Sequence, residues 1–200
     1  MAIMRGRRAH RKLATRDALQ RAALELVRER GSNAVTVEEI CARAGVSPRT
    51  FFNYFASKED AIIDWDAEID AFVTRAVTDR PADESPVQAI RSVLESAVAD
   101  AMGMEPWRAR LQLIREQPGL IGRFAAVMTS VQRALARAVS ARTGLGTDHL
   151  YVELTAAVSV AAIRAAIETW TVAPADTDPT RLIDDAFTYL ERGLASPSNP

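Results

Sequence analysis

Four polar side chains lie within two helical turns of each other, at Ser47, Arg49, Thr50 and Asn53. An arginine can donate two hydrogen bonds to guanine, and an asparagine can pair with adenine, so this set can read base edges in the major groove of DNA. The free amides at the N-terminus of a helix starting here can also bind phosphate. The residues therefore predict a helix that reads DNA.

Further residues are suited to the phosphate backbone, which positions a protein on the duplex without reading its sequence. Tyr54 and Lys58 follow the predicted reading helix. Upstream, residues 1–16 hold basic side chains and no acid, among them Arg5, Arg7, Arg8, Arg11 and Lys12. An arm of this kind can follow phosphates or enter the minor groove, and we expect it to supply much of the salt-dependent affinity.

The charge of the chain is divided unevenly along its length. The whole chain has a net charge of -1, which by itself argues against a nucleic-acid partner. Residues 1–60 carry 12 basic and 7 acidic side chains, however, while residues 61–200 carry 13 basic and 19 acidic ones. A basic leading end on an acidic body is typical of a protein that binds nucleic acid or an anionic membrane.

The elements that must position these residues are marked by capping signals. Thr36-Val-Glu-Glu39 predicts a capping box at the start of one short helix. Gly45 predicts a tight turn, and Ser47-Pro48 an N-cap with proline at the first position of the next helix. Two short helices joined in this way form a helix-turn-helix.

Several other chemistries find no support in the sequence. The chain has one cysteine, Cys41, and two histidines, and it has no CxxC spacing or glycine-rich phosphate loop. We therefore expect no metal, no cofactor and no catalytic site. His149, next to Asp148 at a predicted helix start, is expected to cap the helix or to lie in solvent rather than to act in catalysis. The single cysteine and the lack of an apolar segment after the basic start favour a cytoplasmic protein.

The helix start and stop signals along the rest of the chain, which are glycine, proline and capping residues, predict an all-α fold of about nine helices. No segment alternates long enough for a convincing strand. The expected helices cover residues 13–30, 36–45, 47–53, 57–80, 86–102, 106–117, 120–143, 148–172 and 178–194.

Residues 36–60, from Thr36-Val-Glu-Glu through Ser-Pro-Arg-Thr-Phe-Phe-Asn-Tyr to Ser-Lys-Glu-Asp60, resemble the signature of TetR-family transcriptional regulators. The resemblance covers about residues 12–63. It implies a homodimer in which residues 1–56 form the basic arm and a three-helix DNA-binding domain, and residues 57–200 form a larger helical domain for ligand binding and dimerisation.

The resemblance also gives roles to individual residues. Ser47, Pro48, Arg49, Thr50 and Asn53 match recognition-helix positions, and Tyr54 and Lys58 match phosphate-binding ones. Thr36 matches the start of the helix that abuts the DNA backbone. The family commonly has tyrosine where this chain has Phe52, so the hydroxyl contact is missing and Phe52 is expected only in the core.

The C-terminal body is the expected site of an effector. Residues 108–120 and 135–144 resemble the C-terminal type that includes the mycofactocin-system regulator and is associated with acyl-CoA-like ligands. Methionine and tryptophan suit an adaptable apolar cavity, and Arg108 or Arg110 would meet an anionic head group. Plain core packing and surface arginines are the alternative. The candidate ligand residues are Phe72, Met102, Trp107, Arg110, Leu111, Phe124 and Met128.

The last two helices are the expected dimer interface, where two helices from each subunit would form a four-helix bundle. Their apolar stripes are Ala157, Ala161, Ala165 and Trp170, followed by Ile183, Phe187, Leu190 and Leu194. A twofold dimer matches a pseudo-palindromic operator.

The sequence thus favours a ligand-responsive DNA-binding regulator, a repressor released from its operator by a small apolar or acyl-CoA-like effector. The alternative is a small-molecule enzyme or an activator that uses the same C-terminal cavity. A membrane-bound reading of the arm is disfavoured, because residues 1–16 have too few apolar side chains for an amphipathic face.

Overall fold

The computed structural model describes residues 2–63, 67–102 and 107–194, with side chains described for residues 13–63, 69–99 and 107–194. Every regular element in these ranges is helical, so the expected all-α fold is confirmed. The elements are α1 (Ala2–Arg30), a 3₁₀ turn (Ser32–Ala34), α2 (Val37–Ala44), α3 (Pro48–Phe52), α4 (Lys58–Ile63), α5 (Ala67–Thr78), α6 (Pro86–Met102), α7 (Trp107–Glu116), α8 (Pro118–Thr143), α9 (Leu150–Val172) and α10 (Pro179–Glu191).

Two elements differ from the sequence-based expectation. The first helix begins at Ala2 rather than near Leu13, so the backbone of the basic arm is a continuation of α1. Arginine, alanine and lysine have high helix propensity, and extending an existing helix avoids the cost of nucleating a new one. The long fourth helix is described as α4 and α5 on either side of residues 64–66, which lie outside the described residues.

The chain divides into two compact units, and the division does not fall after residue 56. The first unit takes in residues up to 65 together with residues 112–125. Its core contains buried apolar side chains from five helices, and α1 packs on both α2 and α4. These core residues are Leu19, Ala23, Val27, Ile40, Cys41, Phe51, Ile62 and Leu120. Burial raises the pKa of the Cys41 thiol, which fits a small buried apolar residue.

The second unit holds residues 66–111 and 126–200, with α10 packed on α9 and α6. Ten residues of α9 are buried, although the helix is long and apolar enough to pass for a membrane span. A buried core helix has the same composition, and the packing of α10 on α9 supports that reading. Ion pairs from Arg91 to Asp184 and Glu191 also tie α6 to α10.

The packing of α9 and α10 corrects part of the expected dimer interface. Trp170, Ile183 and Phe187 are 7%, 2% and 0% exposed within the single chain. These side chains are already used in the core of the subunit, because α10 turns its most apolar face inward. They are therefore not available to a second subunit.

Candidate nucleic-acid interface

The start of α2 is fixed by the capping box predicted at Thr36. The Glu39 amide donates to Thr36 Oγ1 at 3.3 Å, and the Thr36 amide donates to Glu39 Oε2 at 2.9 Å. Arg30 Nη1 donates to Glu39 Oε1 at 2.7 Å. The Arg30 hydrogen bond, and after it the Thr36 amide, hold the pKa of Glu39 below its ordinary value. The capping box therefore fixes the position of Thr36 at the helix start.

The turn between α2 and α3 depends on Gly45. Its backbone is left-handed, with φ of 68°, a region that residues with a Cβ rarely adopt. The Val46 amide donates to the Cys41 carbonyl at 3.0 Å and closes the end of α2. The predicted helix-turn-helix is therefore present.

A second cap fixes α3. The Ser47 hydroxyl accepts the Thr50 amide at 3.2 Å, and the two hydroxyls of Ser47 and Thr50 lie 2.9 Å apart. Pro48 occupies the first turn, and Phe51 is fully buried beneath the helix. Both hydroxyls therefore take part in hydrogen bonds at the helix start. The position of α3 is fixed by this cap at one end and by the buried ring of Phe51.

Arg49 and Asn53 point away from that anchor. Both are exposed, and within the described part of the chain neither side chain has a hydrogen-bond partner. Other basic residues nearby are neutralised, since Arg43 pairs with Glu25 and Glu29 at 3.2 and 3.5 Å and Arg30 pairs with Glu39. Of the four side chains predicted to read bases, Arg49 and Asn53 therefore keep their hydrogen-bonding groups free, whereas Ser47 and Thr50 are engaged in the helix cap.

The position of Phe52 corrects the expectation that it belongs to the core. Its side chain is 58% exposed, and the edge of its ring meets Phe51 with centroids 5.4 Å apart and planes at 83°. In a five-residue helix anchored through Phe51, the next residue is rotated by about 100° and leaves the core. The exposed face of α3 therefore includes an aromatic ring next to Asn53.

Lys58 has a structural bond that sequence reasoning missed. Its Nζ donates to the carbonyl oxygens of Ser32 and Val35 at 2.6 and 2.8 Å, and Glu59 Oε1 lies 3.9 Å away. An ammonium group has three donors, so two are held by the 3₁₀ turn and its end. The side chain as a whole is 22% exposed, so the ammonium group is not fully enclosed by these contacts.

For the other candidate phosphate contacts, the structure describes the side chain of Tyr54 but not those of the basic arm. Tyr54 is half-buried, with its ring 6.5 Å from that of Phe55. The guanidinium of Arg16 lies 4.9 Å from the Phe55 ring centroid, and sequence reasoning had not singled out this contact. The side chains of Arg5, Arg7, Arg8, Arg11 and Lys12 lie outside the described residues.

The candidate ligand residues occupy different surroundings. Leu111 is buried and the Trp107 ring lies 5.5 Å from that of Trp170, whereas Phe72 is 54% exposed. Phe124 and Met128 are half-buried, but Phe124 belongs to the first unit and Met128 to the second. Arg110 is half-buried, and the side chain of Met102 lies outside the described residues. Their shared role in ligand binding stays a prediction.

Arg108 is occupied within its own unit. Its guanidinium lies 5.3 Å from the Trp170 ring centroid and donates to the carbonyl oxygens of Ala173 and Pro174, the latter at 3.0 Å. Arg108 thus closes the C-terminal end of α9.

A groove of about 520 Å³ in the same unit is lined by Asp70, Thr74, Arg75 and Arg137 among others, and by none of the candidate ligand residues.

Comparison with known proteins places these features in context. A family model described as bacterial regulatory proteins of the tetR family matches residues 19–62, and one described as the MftR C-terminal domain matches residues 84–195. The HTH-type transcriptional regulator TcmR of Streptomyces glaucescens is 34% identical over 141 residues, which are 67% of this chain. The chain spans about 62% of the length of TcmR.

Solved structures share the fold at low sequence identity. FadR of Thermus thermophilus, solved in complex with lauroyl-CoA, has a TM-score of 0.58 at 22% identity and covers 92% of this chain and 97% of its own. The SmeT–triclosan complex has a TM-score of 0.59 at 18% identity, covering 93% and 96%. SmeT is described as the repressor of a multidrug efflux pump of Stenotrophomonas maltophilia.

Proposed function

Because this chain belongs to the TetR family of transcriptional regulators, we propose that it binds operator DNA through α3 and releases it on binding a small effector. One observation carries the DNA contact: Arg49 and Asn53 are exposed side by side on a capped, anchored helix, with free hydrogen-bonding groups. This combination presents donors for guanine and adenine edges. Thr36, Ser47 and Tyr54 are then backbone contacts, and the arm adds sequence-independent affinity.

Phe52 adds an apolar contact to this reading surface. An exposed ring beside a base-reading asparagine suits the methyl group of thymine, which marks an A·T pair in the major groove. Phe52 is 58% exposed in the free protein, and covering its ring against a methyl group removes apolar area from water. The proposed half-site therefore contains a thymine close to the bases read by Arg49 and Asn53.

A homodimer is supported by an exposed stripe on α9. Leu150, Leu154 and Val172 are 77%, 56% and 71% exposed, and Ala161 and Ala165 are also exposed. Their spacing of four and seven residues keeps all five within about 60° of one face of the helix. The small residues in the middle allow close helix approach. We propose this stripe, rather than the buried Trp170, Ile183 and Phe187, as the centre of the interface.

The proposed effector is a small apolar or acyl-CoA-like compound acting in the cytoplasm. The support is the match to the MftR C-terminal domain and the likeness in fold to FadR, which was solved with lauroyl-CoA. An effector that releases DNA must bind the non-binding state more tightly, and DNA must weaken effector binding by the same factor. Family membership supports a regulator rather than an enzyme. An activator would use the same contacts at a differently placed operator.

Selection of duplexes from a random library by the full chain tests this function. We expect enrichment of a pseudo-palindrome by the wild type and loss of its base preference at one position in each half-site for Arg49→Ala. Lauroyl-CoA is then titrated into the complex, with free coenzyme A as the matched control. Failure to enrich any sequence would contradict DNA reading. Equal binding with and without lauroyl-CoA would remove acyl-CoA as the effector.

A further inference from the structure

Residues at the start of α8 contact the 3₁₀ turn of the first unit, whose carbonyl oxygens bind Lys58. Gln117, between α7 and α8, accepts the backbone amide of Ser32 on its Oε1 at 2.9 Å. Ser32 is only 2% exposed, and its carbonyl oxygen accepts Lys58 Nζ at 2.6 Å. A single residue of the 3₁₀ turn is thus held by Gln117 through its N–H and by Lys58 through its carbonyl.

The turn also lies close against the backbone of α8. A Cβ placed on Gly119 would be 3.6 Å from both Ser32 Oγ and Asn33 Oδ1, which is van der Waals contact. Leu120, the next residue, is fully buried. The position of the turn is therefore set by the first turn of α8 as well as by the end of α1.

The helix that carries Lys58 is held by the same segment. Arg123 Nε donates to Asp60 Oδ1 at 2.5 Å. The other oxygen of Asp60 accepts the Ser57 hydroxyl at 2.9 Å, and the Asp60 amide donates back to Ser57 Oγ at 3.1 Å, which caps α4 around Lys58. Both the acceptors of Lys58 and its own helix are therefore fastened to residues 117–123.

We propose that Gln117 is a positioning residue for Lys58, holding the Ser32 carbonyl so that the third ammonium donor points to a DNA phosphate. The inference rests on the proposed function, because it assumes that Lys58 contacts phosphate. Loss of the Gln117 acceptor leaves the buried Ser32 amide unpaired and frees the turn to shift. A displacement of residues 117–119 would therefore move the acceptors of Lys58.

Salt dependence separates positioning from mere stability. Each phosphate contact contributes about 0.9 to the slope of log K against log salt, so Lys58→Met in a dimer should reduce the slope by about 1.8. Gln117→Met keeps the side-chain length and removes the acceptor, and we expect a loss of slope in the same direction. Ile121→Ala, an uncharged change at an exposed position of the same helix start, is the matched control and should keep the wild-type slope.

The double variant Lys58→Met with Gln117→Met tests whether Gln117 acts on DNA binding through Lys58. The proposal requires its slope to equal that of Lys58→Met alone, because both changes remove one contact. Additive loss, or a wild-type slope for Gln117→Met, would overturn it. Gln117→Asn, which retracts the amide by one methylene, takes its place if Gln117→Met does not fold. A wild type that binds no selected duplex contradicts the proposed function instead, which keeps the two failures distinct.

Discussion

Arg142 near the end of α8 donates from Nη1 to the carbonyl oxygen of Arg80 at 2.8 Å. Its Nη2 donates to the carbonyl oxygens of Pro81 and Glu84, both at 2.7 Å. The proline-bounded segment of residues 81–86 is therefore held through two of its backbone carbonyl groups by one side chain. Arg80 reinforces the arrangement through an ion pair to Glu84.

Replacement of Arg142 by Met should destabilise the second unit. Several charge-assisted bonds to carbonyl oxygens are lost, and a hydrogen bond to a charged group contributes about 1.5–3 kcal/mol. We expect the free energy of unfolding to fall by about 3 kcal/mol, measured by urea denaturation. Arg137→Met, at an exposed position on the same helix, should change it by less than about 0.5 kcal/mol. Equal effects of the two substitutions would contradict the role of Arg142.

A charge placed on the α9 stripe should separate the subunits. Leu154→Glu puts a carboxylate at the centre of the proposed interface, where a second copy would bring the same charge opposite it. We expect sedimentation of a monomer and weaker operator binding. Ile121→Glu introduces the same charge at an exposed apolar position in the other unit and should sediment like the wild type. A dimeric Leu154→Glu variant would place the interface elsewhere.

Phe52 and a thymine methyl should be energetically coupled. Covering a methyl group contributes about 0.8 kcal/mol, so replacing the relevant thymine by uracil should weaken wild-type binding about fourfold per half-site. Phe52→Ala should bind more weakly but should no longer distinguish thymine from uracil. Phe52→Tyr, which keeps the ring, is expected to retain the distinction. Titration of single-substituted operators measures all three, and a persistent preference in Phe52→Ala would exclude the contact.

Acid should weaken the start of α2. The pKa of Glu39 is lowered in the folded protein by Arg30 first and then by the Thr36 amide, so its contribution to stability is complete above the ordinary pKa of about 4.3. That contribution is lost as the pH falls through the folded value. We expect Glu39→Gln to lower the urea midpoint at neutral pH and to match the wild type in acid. Glu38→Gln, at the exposed neighbouring position, is the control and should follow the wild type throughout.

The sequence was most informative where structure is local. The capping box at Thr36, the N-cap at Ser47 and the His149 cap, whose Nδ1 accepts the Tyr151 amide at 3.2 Å, are all confirmed. Each depends on residues within three positions of one another, so their spacing alone specifies the bond. The helix-turn-helix and the family resemblance follow from the same short-range signals.

The sequence was least informative where two distant segments decide a side chain's role. Gln117 and Ser32 are 85 residues apart in the chain, and no local pattern marks them as partners. Phe52 and Trp170 were both misplaced, since their exposure depends on which neighbours cover each helix face. Periodicity identifies an apolar stripe, but it does not say whether the stripe meets its own chain or a second subunit.

The sequence by itself determined an all-α regulator with a basic, DNA-reading leading end, because caps, periodicity and charge act over a few residues. Tertiary structure alone decided which side chains remain free to act. It left Arg49 and Asn53 exposed, anchored Lys58 on carbonyl oxygens and placed Gln117 beside Ser32. The physical reason is that burial and long-range hydrogen bonds depend on the packing of whole helices, which brings together residues far apart in the chain.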